Sequence, residues 1–263
     1  MKKFLEWLKG LFGGEIDLAI KDHRASFLFD NGGTRVMNLL AHNISEAQVN
    51  GVVNRCVGNG DKVIYLYIGY NNGDGAGTTS FYVNDQFNGA IDSNKLNLMK
   101  NRIKNIQKKL KVIGWIFADD NGSKVNFKDT AALKKCTEVA IDSFNEYISE
   151  YVVALEANEY LSSSQVNELA SLIKSKTKKL VGCHQTSGRY DYSASSVIDK
   201  HYHQYGFNKS NGYIQSETIK VKNALSKTVI GAEYDLSSDT PAAKARGTAV
   251  IAGGGSGTGN GRN

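Results

Sequence analysis

The sequence predicts a compact (β/α)8 TIM barrel, and three observations carry that prediction. Strand-like and helix-like segments alternate along the chain, which implies parallel strands, because each return to the same edge of a sheet needs a crossover. Short apolar runs recur, among them Val63-Ile64, Val112-Ile113, Val152-Val153 and Val229-Ile230, as in strands buried on both faces. The length is 263 residues, close to the roughly 250 of a single barrel. The competing open, doubly wound sheet lacks its phosphate-binding signature, since no GxGxxG joins a first strand to a first helix. A GxGxG does occur within residues 253–261, but it follows the last expected strand and reads as a tail or mouth loop.

The elements are expected in this order. Residues 2–12 form an amphipathic helix, with Phe4, Leu8 and Leu11 on one face, Trp7 and Phe12 beside them and Gly13-Gly14 as the stop. Residues 26–30 read as a strand entering a tight turn at Asn31-Gly32-Gly33, and residues 35–42 as the first barrel strand. The second to seventh strands are expected at residues 62–70, 112–118, 151–157, 180–183, 201–205 and 228–232. Helices are expected at 46–58, 94–110, 127–149, 164–177, 194–200 and 216–225. A last helical turn or two at 241–247 precedes an eighth strand at 248–252. The domain division is therefore a helix over 1–14, a barrel over 15–252 and a Gly-rich tail over 253–263. No eighth helix follows the eighth strand, so the N-terminal helix is expected to take its place against the barrel. The other reading of residues 1–13 is an attachment to a membrane surface or a particle.

Composition narrows the function classes. The net charge is +6 with a pI near 9.0. The lysines gather at Lys108, Lys109, Lys111 and at Lys174, Lys176, Lys178, Lys179, at the ends of helix-like segments where cations complement the helix dipole. They are not interleaved with aromatics in one patch, so no nucleic-acid partner is expected. Cys56, Cys136 and Cys183 are odd in number and widely spaced, which argues against a zinc site or a disulfide framework. No segment reaches the roughly 18 apolar residues of a membrane span. Glu6 and Lys9 interrupt the apolar start, so no cleaved signal peptide is expected.

In a barrel the chemistry sits at the C-terminal strand ends. The fourth expected strand runs out through Leu155-Glu156-Ala157-Asn158-Glu159-Tyr160, and the seventh through Gly231-Ala232-Glu233-Tyr234. Each presents a glutamate where a buried strand emerges into a loop. The Asn158-Glu159-Tyr160 and Glu233-Tyr234 motifs resemble those of the (β/α)8 glycoside hydrolases with catalytic glutamates on strands four and seven, the clan A type. The resemblance follows the strand order through most of the chain and is specific at these two motifs. It implies retaining cleavage of a glycosidic bond in a polysaccharide or glycoconjugate. Glu159 would be the acid/base and Glu233 the nucleophile. Asn158 would bond the sugar 2-hydroxyl, Tyr202 or Tyr205 would bond the nucleophile, and Tyr234 would stand beside the substrate.

Further residues are expected around the mouth from their places after strand ends: His42, Asp119, His184 and Gln185. Glu156, by strand alternation, is expected to face the helix layer. His201 and His203 would share one strand face, but no third ligand with defined spacing joins them and His184, so no metal or other cofactor is expected. The strand-eight end, Ala252-Gly253-Gly254-Gly255, lacks the tryptophan that many members of the clan place under the sugar, and Tyr70-Asn71-Asn72 stands where they carry an arginine. These departures keep two alternatives in view: a glycan-binding barrel without activity, and a structural component of a virion or other surface.

Overall fold

The structure, a computed structural model, describes residues 23–29, 36–72, 77–118, 127–186, 188–234 and 240–262. The elements are β1 (His23–Phe29), α1 (Glu46–Gly58), β2 (Val63–Tyr70), α2 (Ser93–Ile106), β3 (Lys111–Phe117), α3 (Thr130–Phe144) and β4 (Ile148–Ala154). They continue as α4 (Ser163–Lys176), β5 (Val181–Gln185), β6 (Lys200–Gln204), α5 (Asn211–Leu225), β7 (Thr228–Ala232), α6 (Pro241–Ala252) and β8 (Gly257–Arg262). All ladders are parallel, in the order β1-β8-β7-β6-β5-β4-β3-β2. The sheet curls until β1 and β2 approach each other, but no ladder joins them among the described residues. The architecture of the described residues is thus an α/β fold with a curled, barrel-like parallel sheet inside a layer of six helices.

Helix starts follow local chemistry. Ser45 with Gln48 and Ser162 with Gln165 form capping boxes at α1 and α4. Asp92, Asp129, Ser210 and Thr240 cap α2, α3, α5 and α6, the last with Pro241 in the first turn. β2 is buried at every position, as a strand covered on both faces must be. Its outer residues Ile64, Leu66 and Ile68 pack in the helix-side core, while Val63, Tyr65 and Tyr67 join Ile113, Trp115, Val152, Tyr202 and Ile230 inside the curl. Gly182 on β5 makes room there: a Cβ would lie 2.5 Å from the Tyr202 ring.

Five expectations are corrected. The strand expected at 35–42 is instead a buried 3-10 turn, Val36–Asn38, followed by a loop, and the first strand is β1. Its backbone has another partner. The buried Arg102 guanidinium donates to the carbonyls of Leu39 (3.2 Å), Ala41 (2.7 Å) and Ile44 (2.5 Å), and to Glu46 Oε1 (2.6 Å). Residues 248–252 are the last turns of α6, because nothing breaks the helix begun at Thr240-Pro241. The expected tail holds β8, which lies between β7 and β1. Between β5 and β6 the expected helix at 194–200 is only a 3-10 turn, Asp191–Ala194. The fourth strand begins and ends three residues earlier than expected, which moves Glu156 out of the strand. Residues 1–14, the turn at 31–33 and Asp119 lie outside the described residues. Among the described residues no helix is long and apolar enough to cross a membrane.

Replacing Arg102 by methionine is expected to strip the β1–α1 loop of its organising cation, taking the guanidinium from the Leu39 and Ile44 carbonyls and leaving Ala41 with the Ile44 N–H alone. The cost should be about 2–4 kcal/mol, read as a lowered urea midpoint with unchanged slope.

The lysines do what their positions suggest. Lys174 and Lys176 lie in the last turn of α4 and pair with Asp199 and Asp142. Lys179 donates to the carbonyls of Asn145 and Ile148, just past the end of α3. These three lysines therefore lie at helix C-terminal ends, opposite the face at which the strands emerge.

Candidate functional site

Two glutamates stand just past the ends of β4 and β7, and both have left-handed backbones: Glu156 at φ 44° and Glu233 at φ 47°. A side chain with a Cβ occupies this region at a cost of roughly 1–3 kcal/mol, and such outliers gather at functional sites. Here the turn lets each carboxylate swing over the strand ends. Gln204, at the end of β6, meets both: its Nε2 donates to Glu156 Oε1 (2.6 Å) and to Glu233 Oε2 (2.5 Å). Oxygens that share one donor at those distances are no farther apart than about 5 Å, so the two carboxylates face one another across the strand ends. An amide nitrogen carries two protons, one for each carboxylate, and remains neutral.

His184 on β5 lies beneath the pair, fully buried. Its Nδ1 accepts the Glu156 backbone N–H at 2.9 Å, and its Nε2 stands 3.7 Å from Glu233 Oε2. Trp115 packs against it at 5.5 Å between ring centroids and against Tyr202 at 5.3 Å, forming an aromatic floor. Lys200, Tyr202 and Gln204 alternate along the interior face of β6. At the lower end of that face Lys200 and Glu150 form a buried ion pair at 2.5 Å, with the Tyr202 hydroxyl donating to Glu150 at 3.4 Å.

The residues expected from the sequence divide into those brought together and those held elsewhere. Glu233 and His184 belong to the cluster. Glu159 is exposed at the end of the 3-10 turn Ala157–Glu159; the glutamate that meets Glu233 is Glu156. Asn158 exchanges hydrogen bonds with Thr186, donating from Nδ2 to Oγ1 at 2.7 Å and accepting the backbone N–H at 2.8 Å, and so ties the β4 and β5 loops together. Gln185 reaches Asp191 and the Tyr192 N–H. Tyr202 points down to Glu150. Tyr205 faces α5, where its hydroxyl meets Thr218 at 2.7 Å. Tyr234 is buried beside Tyr205 and α6. His42 is exposed, 4.0 Å from Asp85. Gln204 was legible only as part of the polar run 201–205, and Glu156 only as the first polar residue after the apolar run 151–155.

His201 and His203 lie on the outer face of β6, opposite the face that carries Tyr202, so they cannot share a ligand with His184. His201 Nδ1 meets Ser193 Oγ at 2.8 Å and its Nε2 meets His203 Nδ1 at 2.9 Å. Among the described residues no group of three potential ligands could hold a metal ion. All three histidines are buried neutral. Burial first and the His203 ring second push the His184 pKa down to about 3. Burial and then the Lys220 charge push His203 to about 3, and burial drives His201 well below its ordinary 6.5. The unfolded chain takes up these protons as pH falls through about 6.5, whereas His184 and His203 in the folded chain resist until near 3. Stability is therefore full above about pH 6.5 and is lost as pH falls toward 3. The expected slope is roughly 1 kcal/mol per pH unit for each ring, measurable by urea unfolding between pH 7 and 4. Replacing His203 by Gln should flatten that slope.

No protein-family model matches the chain, and no curated protein matches it. Solved structures do. A candidate glycoside hydrolase from Bacteroides vulgatus ATCC 8482 is similar at a TM-score of 0.64 and 11% identity over 87% of this chain, which spans 50% of that protein's chain. A GH113 β-1,4-mannanase matches at 0.59 and 11% identity, covering 91% of this chain and 88% of the other. β-Glucosidase 1317 matches at 0.59 and 8% identity, covering 81% and 76%. At these identities the likeness is one of fold: the chain has a parallel β-sheet and helix architecture resembling that of glycoside-hydrolase barrels.

Proposed function

We propose that this chain is a retaining glycoside hydrolase on a (β/α)8 frame, with Glu156 as general acid/base and Glu233 as nucleophile, acting on a polysaccharide or glycoconjugate. The observation that carries the reading is the pair of carboxylates past β4 and β7, joined by one Gln204 amide on a fold shared with glycoside hydrolases. Chemically, Glu233 attacks the anomeric carbon while Glu156 protonates the departing oxygen. Glu156 then takes a proton from the water that releases the sugar. Gln204 contributes position: a neutral double donor holds two carboxylates at one mouth without adding charge. The Nε2–H of a neutral His184 faces Glu233 and favours its ionised form, which suits the nucleophile.

A second reading, glycan binding without cleavage, draws on Asn158. The resemblance would use it on the sugar, but both polar ends of its amide are engaged by Thr186. One experiment separates the two: incubation with a panel of aryl glycosides and bacterial or algal polysaccharides, with the anomer of the first product followed by NMR. Release of a retained anomer is expected. Binding by calorimetry with no released sugar, on every glycan that binds, sinks the hydrolase reading.

A further inference from the structure

We propose that His184 is a positioning residue of the carboxylate pair: the Glu156 backbone amide fixes its tautomer, and the opposite edge of the ring holds the Glu233 carboxylate. This rests on the reading of Glu156 and Glu233 as a working pair, and adds to it a residue on β5, a strand that supplies neither carboxylate. A backbone N–H can only donate, so its 2.9 Å contact with Nδ1 requires that nitrogen to be bare. The ring is fully buried and neutral. A neutral imidazole with a bare Nδ1 carries its proton on Nε2, the atom 3.7 Å from Glu233 Oε2. Catalytic contacts of this kind are often long without substrate and tighten in the complex.

The neighbours of the ring explain why it holds that orientation. Trp115 on β3 packs against it. Tyr202 on β6 is its register partner. Glu156 and Glu233 stand on its two edges, and His203, on the far face of β6, adds to the cost of charging it. Gln204 joins the two side chains directly. His184 does something separate: it joins the left-handed turn that carries one carboxylate to the carboxylate of the other. A shift of the Glu156 turn would thus be felt at Glu233 through one rigid ring.

Two substitutions divide the ring's contacts. His184→Asn keeps an acceptor near the place of Nδ1 and removes the donor to Glu233. His184→Gln keeps an amide N–H near the place of Nε2 and removes the acceptor. The full chain is labelled with carboxyl-13C glutamate, and the Glu233 resonance is assigned by its loss in Glu233→Gln. Glu233 is expected to titrate about one pH unit higher in His184→Asn than in wild type, and to move by less than half of that in His184→Gln. An unmoved Glu233 titration in His184→Asn overturns the inference. This readout needs no turnover, so an inactive chain that still shows the shift sinks the hydrolase reading alone. Should His184→Asn fail to fold, the imidazole 15N shifts of the wild type decide. A proton on Nε2 between pH 6 and 8 is expected, and a proton on Nδ1, or an imidazolium, overturns the inference.

Discussion

Glu156→Gln and Glu233→Gln are each expected to lower kcat about a thousandfold, while Glu159→Gln stays within about twofold of wild type. The contrast follows from placement. Glu156 and Glu233 share the Gln204 amide over the strand ends, whereas Glu159 lies three residues on with its side chain in solvent. An amide in place of either carboxylate keeps the shape and removes the chemistry: no proton for the leaving oxygen in one case, no nucleophile in the other. Azide distinguishes the two roles. In Glu233→Ala a small anion can take the nucleophile's place and give a glycosyl azide of inverted configuration. In Glu156→Ala it intercepts the covalent intermediate and gives the retained one. The opposite pattern of products would exchange the assignments, and loss of activity in Glu159→Gln with Glu156→Gln active would return the acid/base role to Glu159.

Lys200→Met is expected to destabilise the fold by about 3–5 kcal/mol, more than the loss of the Arg102 guanidinium. Lys200 and Glu150 are each only 2% exposed and pair at 2.5 Å inside the sheet. Removal of the cation leaves a buried carboxylate with the Tyr202 hydroxyl at 3.4 Å against its full desolvation cost. For a chain of this size the loss corresponds to a fall in Tm of roughly 10 °C. Two further outcomes should accompany it. The deficit should shrink at low pH, where the stranded carboxylate takes up a proton. The double variant Glu150→Leu with Lys200→Met should regain most of the stability, because two apolar groups need no partner in that interior. A double variant no more stable than Lys200→Met would mean that the pair contributes through geometry that hydrophobic side chains cannot replace.

Much of this architecture was written in local pattern. Strands β2, β3, β5, β6 and β7 and helices α1 to α4 lie within a few residues of where apolar runs and helical spacing put them, because each is decided by burial periodicity and by caps such as Ser45 and Ser162. Glu233 was legible for the same reason: Val229 to Ala232 is a buried run, and the next residue carries a charge. The errors arose where distant contacts decide. Residues 36–42 are apolar enough for a strand, but Arg102, some sixty residues away, captures the carbonyls of Leu39 and Ala41 within them and of Ile44 just beyond. Residues 248–252 suit a strand by composition, yet they continue a helix, while the strand itself forms from a glycine-rich segment with no apolar side chain to mark it. The fourth strand shows how small a shift matters. Moved by three residues, it places Glu156 in a left-handed turn rather than in the helix layer, and β6 then brings Gln204 between it and Glu233. Sequence alone determined that the chain builds parallel strands ending in carboxylates. Which carboxylates meet was decided only by the tertiary structure, because that choice depends on turn geometry and on a glutamine from a third strand, and neither leaves a periodic trace.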